Sequence, residues 1–449
     1  MSSLSENKLE IVRTLIQAAP DSAIRDLKTA LASGDQRNEA MRLIYGMVNS
    51  EALNRRTRAA VFAPLMPLCV FRPEGAVGMF FPPSVPAHLW RALREQAPTA
   101  VQSAIRVVSD VDIGDFTQSG FDALCLAAAT GLRTRANADY AAAADVLERS
   151  QPKGVEAFAA CLDLTPVART ALERLPDWLA RMNDERIVAA RLTFKDAVAV
   201  SEDAGPRLME MLYAHLAEPW LILRLISVIM QRPADRYIAN SEMASFGERL
   251  LDDIDKRLRR VSQLNVEGGA PAGAAAGADV NIIALQMAEF DKAVDLSKEG
   301  PWGARLNHQK RSLSIAVESR LKSVESEVMA ALPVDPAGHT RRGVRPPPRL
   351  RDPPDAMLID YARAYLNFMH EIRGSADKLG YGARWVKTSE AIQGRLDTYI
   401  EDLLDMLRSP EEGHDLERVR QFLALAAEFM GLATDDKAAQ IVRRRVAAA

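Results

Sequence analysis

Apolar residues recur every three to four positions in one segment of this sequence after another, which is the spacing of one face of an α-helix. The stretch from residue 355 to 382 is the clearest example, because its apolar residues form a single broad stripe. The members of that stripe are Met357, Leu358, Tyr361, Tyr365, Phe368, Met369, Ile372, Ala376 and Leu379. Proline or glycine interrupts the pattern between segments, alanine is abundant, and aromatic residues make up only 6% of the chain. We therefore predict an all-α protein.

A segment rich in glycine, alanine and proline, NVEGGAPAGAAAGAD, divides the chain. It lacks apolar periodicity, so we interpret residues 265–280 as a flexible linker. Residues 1–264 are expected to form an irregular multi-helical domain of unknown role, since their helical segments show no fixed repeat. Within this domain, the six prolines of residues 64–86 exclude a continuous helix and predict an ordered loop packed on the domain.

Residues 281–449 are expected to form a helical bundle. Four helical segments between residues 304 and 430 are enough to close an up-down-up-down arrangement in which residues 355–379 form the second helix. A loop rich in proline and arginine, residues 333–354, precedes that helix and carries five arginines. Its composition favours a solvated, disordered loop, and the alternative is a docking site for an acidic partner or a polyproline ligand.

Charge and composition exclude several classes of protein. A net charge of −3 over 449 residues gives no overall attraction to nucleic acid. Cys69, Cys125 and Cys161 have no paired spacing, which favours a reducing compartment over a disulfide framework. The most hydrophobic run, Pro219–Met230, is shorter than the roughly 20 residues that span a bilayer. The N-terminus lacks the apolar core of a signal peptide, so we expect a cytoplasmic protein.

No cofactor or metal site is expected. The histidines and cysteines lack the spacing of metal ligands, and the sequence contains no dinucleotide-binding or phosphate-loop motif. Candidate chemistry is confined to one helix of the expected bundle.

His370 falls opposite the centre of the apolar stripe, so its imidazole is expected on a polar, solvated face. Gly374 lies one turn further along and has no side chain to cover the ring. A glycine inside a helix lowers helix stability by about 1 kcal/mol relative to alanine, so its presence here indicates a packing or functional requirement. Arg373 would place a guanidinium beside the same face, and Ser375 a hydroxyl on the next turn. An exposed neutral imidazole is a competent nucleophile toward phosphorus.

The sequence from His370 to Gly380, HEIRGSADKLG, resembles the signature of histidine phosphotransfer (HPt) domains. That signature is a histidine, any residue, an aliphatic residue, a basic residue, glycine, a small pair and then an aliphatic residue followed by glycine. The family fold is a four-helix bundle with the phosphorylated histidine exposed on its second helix. The resemblance implies that His370 accepts the phosphoryl group and that Arg373 is its basic neighbour. It also implies that Gly374 gives clearance and that Ser375 is the small polar position that follows.

The resemblance further implies a signalling protein that exchanges a phosphoryl group between His370 and the aspartate of a response-regulator receiver domain. The receiver would supply the divalent cation, and phosphotransfer is the one enzymatic activity that the sequence indicates. Asp377 departs from the family pattern, because that position is usually small or uncharged, and a carboxylate on this face would oppose a phosphoryl group. The alternative interpretation is a noncatalytic helical scaffold or interaction protein with a degenerate HPt-like bundle.

Overall fold

The computed structural model describes residues 6–33, 39–109, 117–180, 182–230, 234–335, 346–409 and 415–449. Over these residues it contains twenty α-helices, four short 3-10 helices, two isolated β-bridges and no β-strand, so the predicted all-α fold is confirmed. None of the described helices is long and apolar enough to cross a membrane. The chain forms two compact units, Met1–Gln231 and Arg232–Ala449, so the boundary lies earlier than the predicted one at residue 264.

The first unit consists of short helices separated by turns. They are α1 (Glu6–Ala18), α2 (Asp21–Ala32), α3 (Glu39–Val61), α4 (Val85–Gln96), α5 (Pro98–Ser109), α6 (Thr117–Thr134), α7 (Ala138–Ser150), α8 (Gly154–Asp163), α9 (Thr165–Ala180), α10 (Asp184–Val200), α11 (Ala204–Ala214) and α12 (Ile222–Ile229). The first three helices close a small core around Ile16, Ile24 and Val48. Arg55 of α3 donates to the carbonyl oxygens of Ile16 and Gln17, and so satisfies acceptors left open at the end of α1.

The proline-rich loop lies between α3 and α4 and contains one 3-10 helix, Met66–Leu68. Phe81 is buried and meets Phe158 edge to face, with 4.7 Å between ring centroids. The Phe81 N–H donates to the carbonyl oxygen of Leu68. The base of the loop is therefore packed on the unit, whereas Phe71 is 83% exposed.

The second unit contains the remaining helices and two further 3-10 turns. The α-helices are α13 (Asp235–Ile238), α14 (Ala244–Ser262), α15 (Gly269–Ala293), α16 (Pro301–Ala331), α17 (Ala356–Glu371), α18 (Gly382–Arg408), α19 (Leu416–Ala433) and α20 (Asp436–Ala448). Helix α14 contacts α15 and α16, which is why it belongs to this unit and not to the first. The predicted bundle is present: α16 and α19 each contact both α17 and α18, so these four helices form a closed ring.

The order of helices around this ring differs from a simple up-down-up-down bundle. Helices α17 and α18 follow one another in the chain but occupy diagonal positions of the ring, and α17 instead packs on α15, α16 and α19. Where the two meet, at their connection, Trp385 Nε1 donates to the carbonyl oxygen of Met369 over 2.8 Å. The C-terminal helix α20 packs on α19 and adds a wall beside the end of α17.

The prediction of a flexible linker at residues 265–280 is wrong. This segment forms a 3-10 turn, Val266–Gly268, and then the first part of α15, which packs along α17. Gly269, Gly273 and Gly277 are spaced four residues apart, lie on one face of α15 and are directed at α17. A methyl group on Gly273 would stand 1.9 Å from the carbonyl oxygen of Ala364, so only glycine permits this approach.

The two ends of the proline- and arginine-rich loop are tied together. Residues 336–345, with three of the five arginines, lie outside the described residues. The Arg349 N–H donates to the carbonyl oxygen of Pro333 over 2.9 Å, and Arg418 of α19 donates to the carbonyl oxygen of Leu350 over 2.9 Å. The loop therefore starts and ends against the bundle.

Candidate functional site

The histidine helix is shorter than its sequence predicts. Asp355 caps its N-terminus by accepting hydrogen bonds from the N–H groups of Met357 and Leu358. The α-helix ends at Glu371, one residue after His370, and continues as a single 3-10 turn, Ile372–Ser375. His370 therefore stands at the C-terminal end of α17 and not in the middle of a helix.

A glycine C-cap terminates this region. Gly380 adopts a φ of +80°, a conformation that favours glycine. The Tyr381 N–H donates to the carbonyl oxygen of Ala376 and the Gly380 N–H to that of Asp377, which is the Schellman pattern. The aliphatic-glycine pair at the end of the HPt-like signature thus has a local structural role here. The prediction that α17 continues to Leu379 is wrong, because residues 376–380 form a turn.

His370 is exposed on the polar side of α17, as predicted. Its Nδ1 atom lies 3.4 Å from the carbonyl oxygen of Leu432, at the end of α19. A carbonyl oxygen can only accept, so Nδ1 carries the proton of the neutral ring in this arrangement. The lone pair is then on Nε2, the nitrogen directed away from that carbonyl.

Arg373 is held in place from two sides. Its Nη1 donates to the carbonyl oxygen of Thr434 over 2.9 Å, and its guanidinium carbon lies 5.4 Å from the centre of the Trp385 ring. Arg373 remains exposed, and its other N–H groups extend the polar edge that begins at Asn367 and His370. The predicted juxtaposition of His370 and Arg373 is therefore present.

Gly374 and Ser375 differ in their surroundings. A methyl group built on Gly374 would meet no atom within 4 Å, so the space beside it is open, as clearance for a partner requires. Ser375 is buried: its hydroxyl donates to the carbonyl oxygen of Ile372 and lies 2.8 Å from the hydroxyl of Tyr381. Burial raises the pKa of Tyr381 to about 12. Contrary to the prediction, Ser375 does not belong to the exposed face.

Asp377 does not oppose the site in the way the sequence predicts. It follows the 3-10 turn, so it is not one helical turn further along the face of His370. A methyl group on Gly382 would lie 2.2 Å from Asp377 Oδ1, which places the carboxylate at the start of α18. An acidic group at a helix N-terminus is favourable, and this location accounts for the carboxylate without any contact with a ligand.

His370 and Arg373 line an open groove of about 530 Å³ between the end of α17 and the connection of α19 to α20. Arg443 of α20 lines the same groove, a position for which the sequence offers one signal. The signal was its spacing: Arg443 lies seven residues after Asp436 and hence on the same face of α20.

Three carboxylates also line this groove, and two of them have structural partners. Glu428 forms a bidentate ion pair with Arg363, with N···O distances of 2.7 and 2.9 Å. Asp435 caps α20 by accepting from the Ala438 N–H over 2.9 Å. Asp436, in the first turn of α20, is the third. The groove therefore carries both signs of charge: Arg373 lies at the end of α17, whereas Arg443 and Asp436 share one face of α20.

Within the described parts of the chain, no group of three or more histidine, cysteine, aspartate or glutamate side chains is arranged to hold a metal ion. The protein also has no match among known protein families, characterised proteins or solved structures.

Proposed function

We propose that the second unit is a phosphotransfer module in which His370 accepts a phosphoryl group from the receiver domain of a response regulator. The observation that carries the proposal is the hydrogen bond from His370 Nδ1 to the carbonyl oxygen of Leu432 at an exposed ring. This bond favours the tautomer in which Nε2 has the lone pair, and a neutral imidazole with a free lone pair is a nucleophile. The HPt-like signature from His370 to Gly380 supports the same assignment.

The transfer step exchanges one bond to phosphorus for another. His370 Nε2 donates its lone pair to the phosphorus atom of the receiver's aspartyl phosphate, and an N–P bond forms. The bond between phosphorus and the aspartate oxygen breaks, and the carboxylate leaves with the electron pair. The Nδ1 proton stays on the ring and continues to donate to Leu432, so the positive charge that develops on the imidazole lies next to a carbonyl dipole.

Two arginines stabilise the phosphoryl oxygens in this proposal. Arg373 is immobilised by Thr434 and Trp385, so little side-chain entropy is lost when its remaining N–H groups bind oxygen. Arg443 approaches from α20, on the opposite wall of the groove. Gly374 leaves room for the receiver beside the ring.

The second candidate is a noncatalytic scaffold, and one observation favours it. Asp435 and Asp436 line the groove that a phosphoryl group would approach, and negative charge there repels it. In that case the groove would bind a protein segment whose cationic groups meet these carboxylates, and His370 would have no chemical role.

Phosphoryl transfer to the full-length protein from a phosphorylated receiver domain tests the proposal. We expect acid-labile label on the wild-type chain and none on His370→Gln. His308→Gln is the matched control, because His308 is also exposed, lies on α16 of the same unit and is remote from the signature in sequence. Loss of label in both variants, or no label across a panel of receivers, would refute phosphotransfer and favour the scaffold.

A second pair of variants tests the arginine from α20. Arg443→Gln should slow transfer about 10- to 100-fold, since a hydrogen bond to a charged group contributes about 1.5–3 kcal/mol. Arg444→Gln is its control, because Arg444 is exposed and carries the same charge but does not line the groove. Equal rates in the two variants would show that Arg443 does not contact the transferred group.

A further inference from the structure

A second groove, in the first unit, combines an apolar floor with a cationic rim. It lies between α2 and α3, closes against the end of α5 at Ser109, and has a volume of about 690 Å³. Ile24 and Leu53 contribute to its floor, and Arg25 and Lys28 of α2 and Arg56 of α3 line its sides. A volume of this size lies within the range of ligand-binding clefts.

The charge of this groove is positive although the chain as a whole carries a net charge of −3. Arg25, Lys28 and Arg56 are exposed. Asp21 is the acidic side chain among the described residues that line the groove, and its Oδ1 accepts from Arg55 Nη1 over 2.7 Å. Its charge is therefore already compensated, which leaves three cations to attract an acidic ligand.

The shape of the groove fits a helix. Its lining on α3 runs from Asn49 to Ala59, which corresponds to about 15 Å of helix, or nearly three turns. Arg25 and Lys28 are three residues apart on one wall, a separation of about 5–6 Å between β-carbons. Acidic residues three or four positions apart on a bound helix have the same separation. One acidic face of that helix therefore contacts Arg25 and Lys28 together.

We infer that this groove binds an acidic amphipathic helix of a partner protein. The apolar face of that helix lies on Ile24 and Leu53, and its carboxylates meet Arg25, Lys28 and Arg56. This is the helix-in-groove mode of recognition. Single-stranded nucleic acid fits less well, because none of the described residues that line the groove is an aromatic one on which a base could stack. An anionic membrane fits less well too, because a planar surface cannot reach a concave floor.

Fluorescence anisotropy with the full-length protein tests this inference. The probe is a fluorescein-labelled peptide of about four helical turns, with leucine on one face and glutamate on the other. The triple variant Arg25→Glu, Lys28→Glu, Arg56→Glu should bind at least about 10-fold more weakly than wild type, because three attractive contacts become repulsive. Added salt should weaken binding to wild type and have less effect on the variant.

The matched control is the triple variant Arg149→Glu, Arg174→Glu, Lys195→Glu. These residues are exposed, belong to the same unit and change the net charge equally, but they do not line the groove. The control should bind the peptide as wild type does. Circular dichroism should show unchanged helix content in both variants, because every substituted side chain is exposed.

Four results would overturn the inference. The first is equal loss of binding in the two triple variants, and the second is equal binding of a peptide with serine in place of leucine. The third is binding of single-stranded DNA or anionic vesicles without binding of the peptide. The fourth concerns the acidic sequence after Ser109, which lies outside the described residues. If only the variant Asp110→Asn, Asp112→Asn, Asp115→Asn binds the peptide, the chain's own segment competes for the groove and no external partner is required.

Discussion

Replacing Gly273 by alanine adds one methyl group at the closest approach of α15 to α17. That group would stand 1.9 Å from the carbonyl oxygen of Ala364, whereas carbon and carbonyl oxygen normally stay at least about 3.3 Å apart. The helices must therefore separate by about 1.4 Å, because the atom that is struck belongs to a backbone and cannot rotate away. Overpacking of this kind costs about 3 kcal/mol, at the upper end of its usual range.

Alanine is also the better helix former, and this gain must be subtracted. Gly→Ala in a helix interior stabilises by about 1 kcal/mol, so the net effect of Gly273→Ala is a loss of about 2 kcal/mol in unfolding free energy. Gly394→Ala is the matched control. Gly394 lies inside α18 of the same unit, is exposed, and would place its methyl group in open space. Gly394→Ala should therefore stabilise the unit by about 1 kcal/mol.

The difference in unfolding free energy between the two variants is measured by urea denaturation, followed by far-UV circular dichroism. Amide hydrogen exchange in α17 reports the local effect. We expect a lower urea midpoint and faster exchange in α17 for Gly273→Ala, and a higher midpoint with unchanged exchange there for Gly394→Ala. If Gly273→Ala stabilises the protein as much as Gly394→Ala does, α15 does not approach α17 this closely. The segment would then be the exposed linker that its composition indicates.

Three further perturbations test other contacts. Burial lowers the pKa of His215, so the unfolded chain binds a proton more readily than the folded one and unfolding free energy should fall as the pH drops below about 6.5. The variant His215→Gln should flatten this part of a profile of urea midpoint against pH, and an unchanged profile would contradict burial. Ser375→Ala should cost about 1–3 kcal/mol, because it leaves the buried hydroxyl of Tyr381 without its partner, whereas Tyr381→Phe should cost only about 1 kcal/mol, because Ser375 still donates to a carbonyl. Equal urea midpoints for these two variants would contradict that difference. Asn137→Ala removes the N-cap of α7, in which Oδ1 accepts from the Tyr140 N–H, and should lower unfolding free energy by about 1 kcal/mol, with an unchanged urea midpoint as the contrary result.

The local sequence was sufficient to predict the all-α fold and the exposed position of His370. Helical periodicity depends only on neighbours three and four residues away, so a side chain opposite the apolar stripe of α17 has to face away from the bundle core. The same reasoning placed Arg373 beside the ring, because both residues lie on one side of the helix end. It failed for Ser375, because the α-helix gives way to a 3-10 turn at Ile372 and the direction of every later side chain changes.

Helical periodicity could not predict which residues reach the groove from other parts of the chain. Arg443 lines the same groove as His370, and the carbonyl oxygen of Leu432 lies 3.4 Å from His370 Nδ1, because α19 and α20 fold back against the end of α17. The sequence shows that residue 443 is an arginine, but it does not give the distance from Arg443 to His370, which lies more than seventy positions earlier. Side-chain contacts between separate helices depend on the order of helices around the ring, and that order also differed from the simplest bundle.

The sequence by itself determined that this protein is helical, that His370 is exposed and that a glycine follows it one turn later, since each of these depends on helical spacing alone. Only the tertiary structure decided that residues 265–280 belong to the bundle. Their stripe is made of glycine, which contributes no apolar side chain to a periodicity and is otherwise typical of linkers. What distinguishes Gly269, Gly273 and Gly277 from linker glycines is the backbone of α17 lying against them, and that backbone is nearly a hundred residues away in the chain.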